Sequence, residues 1–264
     1  MDAHFARSNM FRILILLMTV IGLLGCGGSK RVTIDPKTKT DAEIYQLGVT
    51  YMQEEEWEKA REAFRTVFES FPQSEYRISA KLGNADSYYS EGRIASYLLA
   101  YQEYQDFISL FPFSPKACYA QLRMGLCYFQ MKEKPDRDQT NTKKALEEFK
   151  KVVDNYPNCE QYQEASKYLL QCYSSLAEHE YLVAYYYGRT GRHIAAIERI
   201  KVLLKNYPEP VHQAKHYLTI AKSLEALQQN QESCTYYDGI TTKWPESEEI
   251  AEAREGRARV CKEA

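Results

Sequence analysis

Glycine and proline are scarce in this sequence, 12 and 9 of 264 residues, so it lacks the turn residues that an all-β fold of short strands needs. A strong charge of either sign is missing too. Lys and Arg total 34 against 36 Asp and Glu, a net of -2, which leaves no electrostatic basis for nucleic acid binding. No glycine-rich phosphate loop, Cys-x-x-Cys, catalytic-triad spacing or paired-carboxylate motif is present. Enzyme function is therefore disfavoured, and no cofactor is expected. His212-x3-His216 would put two imidazoles on one helix face, but Gln213 stands where zinc proteases carry Glu and no third ligand is apparent. A solvated helix face is the better reading of that pair. His179-Glu180 lacks a Ser or Cys partner at a recognisable spacing. Aromatic residues are plentiful instead. Tyrosine alone numbers 22, and its apolar body with a polar tip suits wet cores and peptide-binding surfaces.

The first residues read as a targeting segment. Arg7 and Arg12 form a positive start, and Ile13 to Leu24 is a charge-free apolar run too short to span a bilayer. It ends in Leu23-Leu24-Gly25-Cys26, which resembles a bacterial lipobox. Residues 1–25 are thus expected to be a signal peptide, with Cys26 carrying the acyl chains that hold the protein at a membrane. Gly27 after that Cys, rather than Asp, leans toward the outer membrane of a two-membraned cell. Removing 1–25 takes away Arg7, Arg12 and Asp2 and leaves a slightly acidic chain. Residues 26–40 read as a lipidated flexible tether with Gly-Gly-Ser and Asp35-Pro36. Fully extended, such a tether reaches at most about 45 Å, so the folded part works close to the membrane.

From Asp41 onward the periodicity is helical. Thr40 and Glu43 have capping-box spacing. Ile44-x2-Leu47-Gly48-x2-Tyr51, Ala60-x3-Phe64 and Pro72 follow the tetratricopeptide pattern, with Ile44 for the usual Trp. Gly48 and Ala60 are small where two antiparallel helices touch, Tyr51 and Phe64 fill the space beside them, and Pro72 stops the second helix. Aromatic-Pro pairs recur at Phe71-Pro72, Phe111-Pro112, Tyr156-Pro157, Tyr207-Pro208 and Trp244-Pro245, each preceded at a fixed distance by Ala60, Ala100, Ala145, Ala196 or Ser233. The expected fold is all-α: five irregular tetratricopeptide-type helix pairs stacked as a curved solenoid. Repeats 1–3 occupy 41–160 and repeats 4–5 occupy 161–264. The irregularity has visible sources. A longer turn is expected after Gly92, a polar insertion runs from Met131 to Thr142, and an unbroken helix from about Gln161 to Arg189. Ser114-Pro115 reads as an N-cap followed by Pro at the first helical position, and the array is expected to end soon after Pro245.

Six cysteines follow Cys26: Cys118, Cys127, Cys159, Cys172, Cys234 and Cys261. Cys118 and Cys127 lie on opposite sides of one expected helix and cannot bridge each other. Mostly buried free thiols are expected, with a Cys234–Cys261 bridge left undecided.

First helices line the concave face of such a solenoid. Helical spacing places Tyr45, Val49 and Met52 there, then Leu82, Asp86 and Tyr89, then Tyr119, Leu122, Leu126 and Phe129. The surface is apolar and aromatic over three repeats. It turns polar at Glu178, Tyr181, Tyr185 and Gly188, and at Lys215, Leu218, Lys222 and Glu225. An extended peptide with apolar and aromatic side chains suits the first part. Burial against neighbouring repeats is the competing reading. The Lys and Asn with which some repeats clamp acidic C-terminal peptides are missing from these positions.

A family resemblance rests on more specific stretches. Leu176-Ala-Glu-His-Glu-Tyr-Leu-Val-Ala-Tyr-Tyr-Tyr187, then Gly191 and Ile194-Ala-Ala-Ile-Glu-Arg199, resemble the BamD family of outer-membrane-protein assembly lipoproteins. So do Tyr119 to Gln130, Asp138-Gln139-Thr140 and the five-repeat layout behind a lipobox. The resemblance implies binding to the periplasmic domains of the barrel-forming subunit BamA, contact with other assembly lipoproteins, and recognition of unfolded barrel precursors by a C-terminal signal ending in an aromatic residue. It also implies that Arg199 faces BamA. The runner-up is another periplasmic repeat lipoprotein, coordinating envelope or division proteins.

Overall fold

The computed structural model describes residues 34–261. Cys26, the expected signal peptide and the first part of the expected tether lie outside the described residues. The described chain is all-helical: α1 (Asp41–Gln53), α2 (Trp57–Ser70), α3 (Arg77–Glu91), α4 (Ile94–Leu110), α5 (Ala117–Gln130), α6 (Thr140–Asn155), α7 (Tyr162–Arg189), α8 (His193–Asn206), α9 (Ala214–Ala226), α10 (Asn230–Lys243) and α11 (Ile250–Val260), with a short 3-10 turn at Glu209–Val211. Each helix packs on the next in sequence. First helices also meet across repeats, α1 on α3, α7 on α9 and α9 on α11, so the array stacks as the repeat pattern requires.

Local chemistry explains the boundaries. The Thr40 hydroxyl accepts the Glu43 N–H at 3.2 Å while the Glu43 carboxylate accepts the Thr40 N–H at 2.8 Å, a complete capping box. All five aromatic residues before the closing prolines are helix C-caps. Within a pair, small faces large: a Cβ on Gly48 would sit 2.6 Å from the Phe64 ring, and one on Gly125 would sit 2.5 Å from Phe149. α7 runs 28 residues because no helix breaker occurs before Gly188. The chain then reverses at Gly191, whose φ of 75° is open to glycine at no steric cost.

Several expectations are corrected. No long turn follows Gly92; α4 begins at Ile94, and the extra length lies in the helices, 15 residues in α3 and 17 in α4. Ser114-Pro115 is not the start of α5. It forms the preceding turn, where the Ser114 hydroxyl accepts the Lys116 N–H at 3.2 Å, and the helix begins at Ala117. The end of the tether is not free chain, since residues 35–38 form a turn and Ile34 packs on the first repeat. After Pro245 the described chain adds one short helix, α11, in keeping with an array that ends soon after that proline, and α11 buries Ala253 and Val260 against Tyr237.

The expectation of mostly free thiols is corrected as well, while the Cys234–Cys261 bridge left undecided by the sequence is present. Cys118 is bridged to Cys159, joining the start of α5 to the α6–α7 turn, and Cys234 is bridged to Cys261, pinning the end of α11 to α10. Only Cys127 and Cys172 are free thiols among the described residues, both buried. Burial pushes each up to about 12, so they behave as small apolar side chains.

Candidate peptide-binding groove

Helices α1, α3 and α5 open a cavity of about 390 Å³ on the first-helix side of repeats 1–3. Five of the expected groove residues line it: Tyr45, Val49, Met52, Leu82 and Tyr119. Phe64 closes its floor, and Ser79, Asp86 and Lys116 supply its polar atoms. Tyr45 stacks on Tyr76 with ring centroids 4.9 Å apart, which orients the aromatic wall.

The other four expected groove residues do not reach this cavity. Leu122 and Leu126 are 2% and 6% exposed, packed in the core with Phe149 and Ala165. Phe129 meets Tyr168 edge-on at 4.9 Å. Tyr89 lies beneath the Arg123 guanidinium, 3.7 Å from its ring centre. The reason is the close fit of α5 between neighbours. Its Gly125 side rests on Phe149, and the face one helical step away is covered by α6 and α7 rather than left concave.

Asp86 anchors a polar network behind the cavity. Its Oδ1 accepts the hydroxyls of Tyr104 and, at 2.8 Å, Tyr119. The Arg123 guanidinium lies 3.6 Å away and donates to the Tyr104 hydroxyl at 3.0 Å. Burial, then the Asp86 charge, pushes the Tyr119 phenol far above its ordinary range, so both tyrosines stay neutral donors. The network fixes one cavity wall, joining α3, α4 and α5.

The Leu176-Ala-Glu-His-Glu run is a junction. Leu176 and Ala177 are buried. Glu178 receives the Lys215 ammonium of α9 at 2.7 Å, His179 Nδ1 approaches the Pro135 carbonyl of the insertion at 2.6 Å, and Glu180 receives Arg199 of α8 at 2.9 Å. Five consecutive residues thus tie repeat 3 to repeats 4 and 5. A second cavity, about 430 Å³, lies beside it and takes in Tyr181, Tyr185, Gly188, Lys215, Leu218 and Lys222, the stretch expected to turn polar.

The histidine pair is not a solvated helix face. His212 precedes α9 and its Nε2 meets the Tyr207 carbonyl at 3.0 Å. His216 is buried, its Nδ1 accepts the Gln213 N–H at 3.2 Å, and burial, with Lys215 and His212 nearby, holds its pKa down to about 3. It caps the helix as a neutral ring. One trio of ligand-type side chains comes together among the described residues, Cys234, Asp238 and Cys261, and its two sulfurs are spent in a disulfide.

A family profile described as "YfiO: Outer membrane lipoprotein" matches residues 37–238. The chain belongs to the YfiO family. Named relatives include the "Outer membrane protein assembly factor BamD" of Caulobacter vibrioides, 28% identical over 218 residues, 80% of this chain and 70% of that protein. The Rickettsia prowazekii protein of the same name is 24% identical over 234 residues, covering 89% and 92%. Among solved structures, the TPR2AB domain of yeast Sti1 in its pHSP90 complex aligns at 17% identity and a TM-score of 0.44, over 83% of this chain and 82% of that one. The YfiO match includes both the cavity and the junction. It stops at Asp238, so most of the pinned terminal helix pair lies beyond it.

Sequence reading missed three features of this YfiO-family chain. The Cys118–Cys159 bridge has no local signal, since 41 residues separate its ends. Arg199 has an internal partner in Glu180, visible only once α7 and α8 are packed. Lys116 was passed over because it stands one residue before α5.

Proposed function

We propose that this chain is a non-enzymatic scaffold of outer-membrane protein assembly, anchored by Cys26 to the periplasmic face of the outer membrane, which binds a BamA-like barrel subunit and the C-terminal signals of unfolded barrel proteins. Other assembly lipoproteins are further partners; nucleic acid is not. The relatives named as assembly factors support the setting. The observation that carries the binding role is the cavity walled by Tyr45, Val49, Met52, Leu82 and Tyr119. Aromatic anchors dominate peptide recognition, and a hot-spot contact is worth about 2 kcal/mol or more. A barrel-signal peptide ending in Phe is therefore expected to bind roughly thirtyfold more tightly than the same peptide ending in Ser. Fluorescence anisotropy with both peptides checks this, and equal affinities would remove the cavity as a signal site.

No helix among the described residues is long and apolar enough to cross a membrane, and Cys26 is the proposed anchor. Cys26→Ser should leave an uncleaved, unacylated precursor; normal processing of that variant, seen by mass spectrometry, would refute the assignment.

Arg199 is proposed to face the barrel subunit. It is 45% exposed and already held by Glu180 at 2.9 Å, so its guanidinium is oriented before a partner arrives. Losing one partner of a desolvated interface pair costs about 2–5 kcal/mol, and Arg199→Glu would also set a second carboxylate against Glu180. Co-purification of the barrel subunit should drop sharply with that variant. Undiminished recovery beside wild type would show Arg199 to be a solvated surface charge.

A further inference from the structure

The cavity on repeats 1–3 is apolar on most sides, but its polar groups are unevenly committed. Asp86 is engaged through Oδ1 by Tyr104, Tyr119 and Arg123. Lys81 of α3 points to the other side, toward α4, where it is paired with Glu103 at 2.7 Å. Lys116 differs. It lines the cavity and is exposed, and its ammonium has no hydrogen-bond or ion-pair partner among the described residues. The cavity therefore combines an aromatic and aliphatic pocket with one uncompensated positive charge at its α5 end.

We propose that Lys116 reads the free carboxylate of a peptide's last residue, making the cavity selective for chain ends over internal segments. This rests on the reading of the cavity as a signal-peptide site. The committed occupant is a C-terminal aromatic residue, its ring among Tyr45, Val49, Met52 and Leu82 and its terminal carboxylate at Lys116. An internal segment offers only neutral amides at that point, which leave the ammonium's charge unanswered. The engaged Asp86 does not cancel the attraction, because the Arg123 guanidinium lies within 3.6 Å of it. A solvent-exposed pair of this kind contributes modestly, so the carboxylate adds selectivity to an affinity that the ring supplies.

The test uses the full lipidated chain in detergent and three fluorescent versions of one alternating apolar peptide: ending in Phe with a free acid, in Phe with an amide, and in Ser with a free acid. Wild type should bind the Phe acid about fivefold more tightly than the Phe amide, with the gap closing at high salt. Lys116→Gln should bind acid and amide alike, and Lys116→Glu should prefer the amide. Both substitutions sit on the exposed rim, and unchanged helical circular dichroism would confirm that the fold holds. Equal binding of acid and amide by wild type, or a preference for the acid that survives in Lys116→Gln, overturns the role of Lys116 while leaving the groove intact. Equal binding of the Phe and Ser acids overturns the groove reading itself, and this proposal with it.

Discussion

Leu126→Ala combined with Phe129→Ala is expected to cost at least about 4 kcal/mol of folding stability. Leu126 is buried beside Phe149, and Phe129 contacts both Phe149 at 6.1 Å and Tyr168 at 4.9 Å. Truncating both side chains empties one continuous volume between α5, α6 and α7. The neighbours cannot fill it, because Gly125 already sits against Phe149 and the Cys118–Cys159 bridge ties the near ends of these helices. Two adjacent losses share a cavity and need not add. Urea titration followed by circular dichroism should show a lower midpoint, with the middle of the array melting first. A variant as stable as wild type that only binds peptide less well would return Leu126 and Phe129 to the groove wall and contradict the packing described above.

Asp86→Ala should produce the other large effect, a loss of about 2–4 kcal/mol. The carboxylate accepts two tyrosine hydroxyls and faces a guanidinium. Without it, the Tyr104 hydroxyl, on a side chain fully buried in the core, loses its acceptor, and the Arg123 charge loses its counter-charge. The position is partly open to water through the cavity, which keeps the cost below that of a sealed pair. Asp86→Asn keeps an acceptor and should cost less. Asp86→Ala with Arg123→Met removes the stranded charge and should recover part of the loss, a recovery that a simple packing defect would not show. A change under about 1 kcal/mol for Asp86→Ala, read from the same denaturation curves, would mean that water rather than protein satisfies these groups. Because the network shapes the cavity wall at Tyr119, weaker peptide binding should accompany the stability loss.

The repeat architecture was legible in the residues alone. Small residues at fixed distances from aromatic-Pro pairs specify helix pairs because close helix contact tolerates little side-chain volume and proline cannot continue a helix. The Thr40–Glu43 cap and the unbroken α7 follow from equally local chemistry. Half of the groove was legible too, since period 3.6 puts Tyr45, Val49 and Met52 on one face of α1. What period alone cannot say is which face of a first helix its neighbours cover. α5 is buried on nearly every side, so Leu122 and Leu126 became core although they share the concave register. Partners distant in sequence were likewise decided only by packing: Cys159 for Cys118, Glu180 for Arg199, and the Pro135 carbonyl for His179. A bridge or an ion pair needs atoms within a few ångströms, and the angle at which irregular repeats stack, which no single repeat encodes, sets those distances.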